Sequence, residues 1–468
     1  MNLYLKHYKG GVLGFGLLLF LIGITIYTIF YIPEKERSEW NNPFYWIDYP
    51  KNAAPFWVNY FLMPFHQQLP EHKIYSRDEA LLSSYSETDF KVSNLTFLYE
   101  YMYGQFPSAF NIPFSLEIGE IPPALEISVK RPDGLTFVLY YNSLDSLPTI
   151  QDEVGAQPSD DQMEHYELSQ RLYSSSKEVI DSLMKYSGVF NFSLSDLPAE
   201  KIIFSETHSN IPLKGTYQFV FTTYSFDNDT ILRDINLIIE GKVFGLLGTD
   251  EFRRDISFGI MIGTPVALLI GVAVASSSTT IGLFYGLIAG YKGGKTGTLM
   301  LIVIDIFLSI PTMVLFIILS LNFGRSLLFL IGLFVLFGWP GLALINRTFS
   351  VQIKNYPYVE ASKLMGESDF KVVLRHIIPQ LIPFTLANFA LSVPAAILAE
   401  SALSFLGFGD PSFPTWGQML QDAHFSSAEI LGYWWWILPP GLMISITSMA
   451  FILIGRSLEY RAKMSKKQ

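Results

Sequence analysis

The chain has no cysteine among its 468 residues. Disulfides, thiol nucleophiles and thiolate metal centres are therefore excluded. Charge is also scarce: Asp, Glu, Lys and Arg make up 16% of the sequence, against roughly 25% in ordinary soluble domains. The seven histidines form no H-E-x-x-H, and no serine sits in G-x-S-x-G, so the signatures of zinc peptidases and α/β-hydrolases are missing. No enzymatic activity is expected, and nothing points to nucleic acid. Between residues 33 and 255 there is no apolar run long enough to cross a bilayer, which takes about 20 residues.

Outside that interval the apolar runs are long. They fall at 11–32, 264–290, 298–321, 327–345, 381–406 and 434–455, and each predicts a membrane span. The first exceeds the roughly 7–15-residue core of a signal peptide and has no small-x-small cleavage site, so it reads as a retained span. Lysine and arginine set the orientation. Lys6 and Lys9 precede the first span, Lys292 and Lys295 separate the second and third, and Arg347, Lys354, Lys363, Lys371 and Arg375 lie between the fourth and fifth. Arg456, Arg461, Lys463, Lys466 and Lys467 close the chain, whereas the opposite loops offer only Arg325. The termini (1–10 and the basic tail 456–468) and the loop 346–380 are thus expected in the cytoplasm, with 33–250 outside. That outer segment carries 31 acidic and 15 basic side chains, a net charge of −16 against −10 for the whole chain. The expected fold is an all-α polytopic membrane domain of six spans (core 251–455), interrupted by a β-rich extracellular domain, α+β or a sandwich.

Within the outer segment, A-L-E-I-S-V-K-R-P-D-G-L-T-F-V-L-Y-Y (124–141) predicts a β-hairpin around Arg-Pro-Asp-Gly. Two further β-like stretches fall at 215–226 and 234–247. Helical spacing over 159–186, with Ser159 as N-cap and an acidic first turn, predicts a helix. Asp160, Asp161, Glu164 and His165 could ligate a metal, but an acidic first turn is better explained by the helix dipole. Asp227, Asp229 and Asp234 lack the glycine that a helix-loop-helix calcium site needs and read as a turn. Asn94, Asn191 and Asn228 stand in glycosylation-type triplets. On the other side of the membrane, Ala289, Gly294, Lys295 and Thr296 mimic a phosphate loop. Such a loop follows a buried strand, and here spans flank it, so a basic turn is the better reading.

The segment Y-V-E-A-S-K-L-M-G-E-S-D-F-K-V-V-L-R-H-I-I-P (358–379) is charged and helix-forming between two apolar runs. Pro357 suits the first turn of a helix, and Gly366 is the residue able to end it in the left-handed region. Glu367 or Ser368 can cap a second helix before Pro379 returns the chain to the membrane. Val359, Leu364 and Met365 would be available to fill a groove on a partner. On local chemistry alone an ordinary loop explains the segment as well.

The order of several motifs decides between these readings. Glu360-Ala361-Ser362, Gly366 and His376-Ile-Ile-Pro379 resemble the E-A-A-x3-G loop of ABC importer permeases. L-L-G-T-D-E-F-R-R-D-I (246–256), G-L-I-A-G-Y-K-G-G (286–294), I-D-I-F-L-S-I-P (304–311), G-W-P-G (338–341) and I-L-A-E-S-A-L-S-F-L-G-F-G-D-P-S-F-P-T-W-G-Q-M-L (397–420) stand in family order. They resemble the second, C-type membrane subunit of the dipeptide/oligopeptide subfamily. Ser362 replaces the usual second alanine, Arg253 a common glycine and Leu344 a common arginine. The 33–250 segment is far longer than the family's external loop.

The resemblance implies a permease subunit for peptides or oligosaccharides that pairs with a homologous membrane subunit. Two cytoplasmic ATPases would consume ATP, with no cofactor bound by this chain, and an external solute-binding protein would deliver the solute. Tyr358, Val359, Glu360, Ala361, Ser362, Leu364, Met365 and Gly366 would form the ATPase-coupling loop. The resemblance says nothing of the outer domain, whose expected position at the external mouth makes it a candidate docking platform for the binding protein. Asp305 and Glu400 lie within spans, where an ionisable group is costly; structural pairing inside the bundle is the expectation. A surface receptor that uses its spans only as anchors, or a passive channel, would not need the coupling loop.

Overall fold

The computed structural model describes residues 2–63, 68–86, 90–118, 123–143, 166–190, 193–194, 197–226 and 231–465. Two compact units emerge: Met1–Tyr45 with Arg254–Gln468, and Trp46–Arg253. From the N-terminus, α1 (Asn2–Tyr31) and α2 (Glu34–Ser38) belong to the first unit. The second contains α3 (Val58–Leu62), α4 (Lys177–Met184) and α5 (Ala199–Phe204). Its strands are β1 (Lys73–Ser76), β2 (Leu81–Ser86), β3 (Lys91–Tyr101), β4 (Ala109–Ile118), β5 (Ala124–Lys130), β6 (Thr136–Ser143), β7 (Tyr166–Tyr173), β8 (Gly215–Ser225) and β9 (Ile231–Glu240). The first unit resumes with α6 (Ile256–Lys292), α7 (Gly294–Ser309), α8 (Thr312–Phe323) and α9 (Leu327–Lys354). It continues with α10 (Pro357–Leu364), α11 (Asp369–Val372), α12 (Ile378–Phe405), α13 (Trp416–Phe425), α14 (Ala428–Leu431) and α15 (Trp434–Ser465).

The second unit is a β-sandwich of two antiparallel sheets, ordered β1-β9-β4-β7 and β2-β3-β8-β5-β6. Period-two alternation builds its core. Phe110, Ile112, Phe114 and Leu116 of β4 point inward with Tyr217, Phe219 and Phe221 of β8. Phe110 meets Phe219 at 6.1 Å and Phe114 meets Phe221 at 5.3 Å between ring centroids. The 124–141 hairpin forms as β5 and β6. Its loop is closed by Arg131 N–H donating to the Leu135 carbonyl (2.8 Å), with Gly134 at a φ of 88°. The 215–226 stretch is β8, and the 234–247 stretch falls partly in β9, which ends at Glu240.

The helix expected over 159–186 is corrected. Tyr166–Tyr173 is a strand paired with β4, and among the described residues of that stretch only Lys177–Met184 is α-helical. Leu172 is buried opposite Ile112, so long-range pairing overrides the local spacing. Asp160, Asp161, Glu164, His165, Asp227, Asp229, Asn191 and Asn228 lie outside the described residues. Asn94 is half-buried on β3, which lies between β2 and β8.

Among the described residues of the first unit, five helical segments are long and apolar enough to cross a membrane: Lys9–Tyr31, Ile256–Lys292, Leu327–Lys354, Asp369–Phe405 and Trp434–Tyr460. The run expected as a continuous span at 298–321 is instead α7 and α8, bent by 72°. Pro311 has no N–H and its ring clashes with the preceding turn. Ile310 before it is pushed to the extended region (φ −80°, ψ 127°). Six spans result only if this bent pair crosses as one. Pro265, Pro340, Pro383, Pro394, Pro439 and Pro440 stay within helices.

Helices α6 and α9 approach closely because α6 lacks side chains on the shared face. A Cβ added at Gly282 would lie 2.7 Å from Leu342 Cβ, at Gly286 2.3 Å from the Ala343 carbonyl, and at Gly290 2.6 Å from the Arg347 carbonyl. The i, i+4, i+8 spacing places all three on one face. Small residues are the usual means of helix association in lipid, where burying apolar surface gains little. Gly14 of α1 meets α15 in the same manner, 2.7 Å from the Ala450 carbonyl.

A capped helical elbow and a buried acid

The segment between α9 and α12 is built as its residues dictate. Pro357 occupies the first turn of α10. At the other end Gly366 adopts φ 86°. Glu367 N–H donates to the Ser362 carbonyl (3.2 Å) and Gly366 N–H to that of Lys363 (2.9 Å). These two bonds are the Schellman pattern, which satisfies the orphan carbonyls of a helix end. The chain then turns into α11, with Ser368 at its N-cap, followed by a π-helical turn over Val373–Ile377 that leads into α12. The loop expected over 346–380 is thus largely helical, since α9 itself continues to Lys354.

Side chains sort sharply along α10. Val359 is fully buried among Leu287, Tyr291, Ile353, Val372 and Ile377, and Ser362 is buried too. Val359 was expected to be available to a partner; it is instead the pin that seats α10 on the bundle. Tyr358, Glu360, Ala361, Leu364, Met365 and Gly366 are exposed, with Leu364 and Met365 each 83% accessible. Phe370 adds a further exposed apolar side chain next to them in sequence.

A polar clasp holds the turn. The Ser362 hydroxyl donates to the Glu367 carboxylate. His376 Nε2 lies 3.2 Å from that carboxylate and 3.3 Å from Ser362 Oγ. Arg375 is 3.9 Å from Glu367. The Ser362 hydrogen bond, followed by those of His376, holds the Glu367 carboxyl below the usual carboxylate range. The Gln380 amide donates to the Tyr358 hydroxyl, a second link from α10 to α12. Sequence reading identified Ser362 only as a small helical position. The clasp role of Glu367 and His376 was missed, although the adjacent Gly366 and Pro379 bracketed both.

The two intramembrane acids differ. Glu400 is 2% exposed and accepts from Ser404 Oγ at 2.6 Å and Ser401 Oγ at 3.4 Å. Gly417 packs against the backbone of Ser401, a Cβ there falling 2.5 Å from the Ser401 carbonyl. Asp305 is exposed on α7, and only its backbone carbonyl takes a side-chain bond, from Ser309 (2.7 Å). Asp410, within the Gly-Phe-Gly-Asp-Pro stretch, was not singled out by sequence. Its carboxylate accepts from Leu327 N–H (2.8 Å) and Ser412 N–H (2.9 Å) and so caps α9.

In the sandwich unit, Arg253 occupies a position where a glycine is common in the resembling sequences. Its φ is 69°, in the region that glycine enters without strain. The arginine is held there by donating to the Tyr49 carbonyl (2.6 Å) and pairing with the buried Glu240 (2.8 Å).

Long apolar helices packed through glycines, with an exposed capped elbow between two of them, describe a multi-pass membrane protein. The family model for the inner membrane component of binding-protein-dependent transport systems matches residues 282–462, all within the helical unit. The dipeptide transport system permease protein DppC of Bacillus subtilis is 37% identical over 213 residues, covering 45% of this chain and 66% of that protein. The oligopeptide transport system permease protein OppC of Haemophilus influenzae is 35% identical over 233 residues, 50% of this chain and 73% of that one. For OppC of Bacillus subtilis the figures are 33% over 249 residues, 53% and 80%. The chain belongs to this family of ABC importer permeases, on its peptide-permease branch.

Proposed function

We propose that this chain is one of two membrane subunits of an ABC importer for peptides, enclosing half of the translocation pathway. The observation that carries the proposal is the elbow. Leu364 and Met365 project from a helix that is seated by Val359, ended by Gly366 and clasped to the start of α12. An exposed apolar tip on a rigid base suits a groove on a cytoplasmic ATPase, and two such ATPases would flank the paired permeases. ATP binding would favour one arrangement of the ATPases, and α12 would follow α10 between inward- and outward-open states. The names of the relatives favour peptides over oligosaccharides as solute. With the basic loops inside, the sandwich unit would face outward and receive an external binding protein.

The test is ATP-dependent peptide uptake by the complete complex in vesicles, comparing native chain with Leu364→Asp plus Met365→Asp. Because both side chains are exposed, the fold should persist, with Tm unchanged to within about 2 °C. Uptake and co-purification of the ATPases should fall at least about tenfold, which corresponds to about 1.4 kcal/mol of association. Undiminished uptake and association would reject the elbow as the coupling element.

A further inference from the structure

The sandwich unit carries an apolar, aromatic surface that the transport reading leaves unused. Residues 52–70 contain no Asp, Glu, Lys or Arg, although the 33–250 segment around them carries 46 such side chains. Within this stretch Phe56 is 44% exposed, Tyr60 67%, Phe61 69% and Met63 57%, and Leu246 nearby is 60% exposed. The rings are ordered: Phe56 and Tyr60 stack edge to face at 6.2 Å, and Trp57 and Phe61 at 6.1 Å. Ordered aromatics gathered in an uncharged stretch are more than the scattered apolar side chains normal on any surface.

The segment is fastened to the chain that leaves the unit. Asn52 N–H donates to the Asp250 carbonyl (3.0 Å), Phe244 N–H to that of Ala54 (2.8 Å) and Phe56 N–H to that of Gly245 (3.0 Å). The indole of Trp57 donates to the Leu246 carbonyl (2.9 Å). The unit ends at Arg253, and the apolar helix α6 starts at Ile256. Three residues span at most about 11 Å. Helix α6 then runs to Lys292 without an earlier charged residue, so only the short charged link through Arg253, Arg254 and Asp255 separates the sandwich from the apolar helix. Trp, Tyr and Phe without ionised neighbours are the composition of the membrane–water boundary, where amphipathic rings settle at headgroup level.

We infer that Phe56–Met63, together with Leu246, is a lipid-facing foot by which the sandwich unit rests on the bilayer interface. The foot would restrict the swing of the unit on its tethers and hold one face toward the membrane.

Because the chain has no native cysteine, single cysteines report on the foot directly. The full chain is reconstituted in phosphatidylcholine vesicles with an environment-sensitive fluorophore at Phe61→Cys or Leu246→Cys. Leu82→Cys and Tyr141→Cys, exposed at 66% and 63% on β2 and β6, serve as references. Lipid brominated near the headgroup end of its acyl chains should quench positions 61 and 246 severalfold more than 82 and 141. Equal, weak quenching at all four positions overturns the inference. So does protection of position 61 from a water-soluble thiol reagent that appears only on adding a second permease or binding protein, or only at high protein-to-lipid ratio, without bromolipid quenching. Those outcomes would assign the surface to a protein partner or a second copy. The readout involves no nucleotide, so it can fail while the coupling proposal stands.

Discussion

The two units solve the same packing problem with opposite materials. The sandwich fills its interior with large aromatic side chains: Phe110, Phe114, Phe137, Phe204, Phe219, Phe221 and buried tyrosines. The helical unit brings α6 and α9 together by removing side chains at Gly282, Gly286 and Gly290. Solvent accounts for the difference. In water, each buried aromatic ring contributes several kcal/mol through the area it hides. Lipid tails are as apolar as leucine, so helices there gain little by burial and associate through close backbone approach.

If the two cores are independent, damage to one should spare the other. Phe219→Ala removes a fully buried ring from between the sheets and should cost the sandwich about 3–5 kcal/mol. Limited proteolysis should then cut within 46–253 while α6 to α15 remain protected in detergent. Loss of protection across the whole chain would show that the two units unfold as one.

Acid should separate them next. Burial, assisted by the Arg253 cation, pushes His72 down to about 4, with Asp48 opposing in part. In the unfolded chain the same group titrates near 6.5. Above that value both states are neutral and the contribution is intact. As pH falls from about 6.5 to about 4 the unfolded state binds a proton that the folded state refuses, so stability is lost across this window. The loss is on the order of 3 kcal/mol for a shift of that size. The sandwich should therefore show a falling Tm between pH 6.5 and 4, and His72→Gln should flatten the slope. An unchanged slope in the variant would assign the acid sensitivity elsewhere.

The smallest effect probes the glycine face. Gly286→Ala forces a methyl against the Ala343 carbonyl and should destabilise the helical unit by about 1–3 kcal/mol. Gly332→Ala on α9 meets nothing within 4 Å and should be neutral or stabilising by up to about 1 kcal/mol. Equal Tm values for the two variants in lipid would mean that α6 and α9 are not held by close approach.

What could be read from sequence followed the range of the interactions involved. Pro357 and Gly366 marked the ends of α10 because a missing N–H and a left-handed φ are local requirements. Arg-Pro-Asp-Gly marked the β5–β6 turn for the same reason. The strand Tyr166–Tyr173 was misread as helix, because its identity depends on β4, some sixty residues earlier. The bend at Pro311 escaped notice because prolines are tolerated inside several other helices of this unit, and only the local backbone distinguishes a break from a kink. Val359 looked like a contact for a partner, since helical periodicity cannot say which apolar face meets its own bundle. Asp410, Glu367 and His376 form bonds that depend on tertiary folding, and no spacing rule foretells them.

The two ends of the sandwich are fastened to each other: Asn52 to Asp250, Ala54 to Phe244, and Tyr49 to Arg253. A free loop of 208 residues, the length from Trp46 to Arg253, would cost about 2.5 kcal/mol more to close than one of a dozen residues. Joined at its base, the insertion presents its host with little more than a short turn. Through descent the sandwich could be enlarged, trimmed or exchanged like a graft on a fixed stem, provided those few base contacts survive.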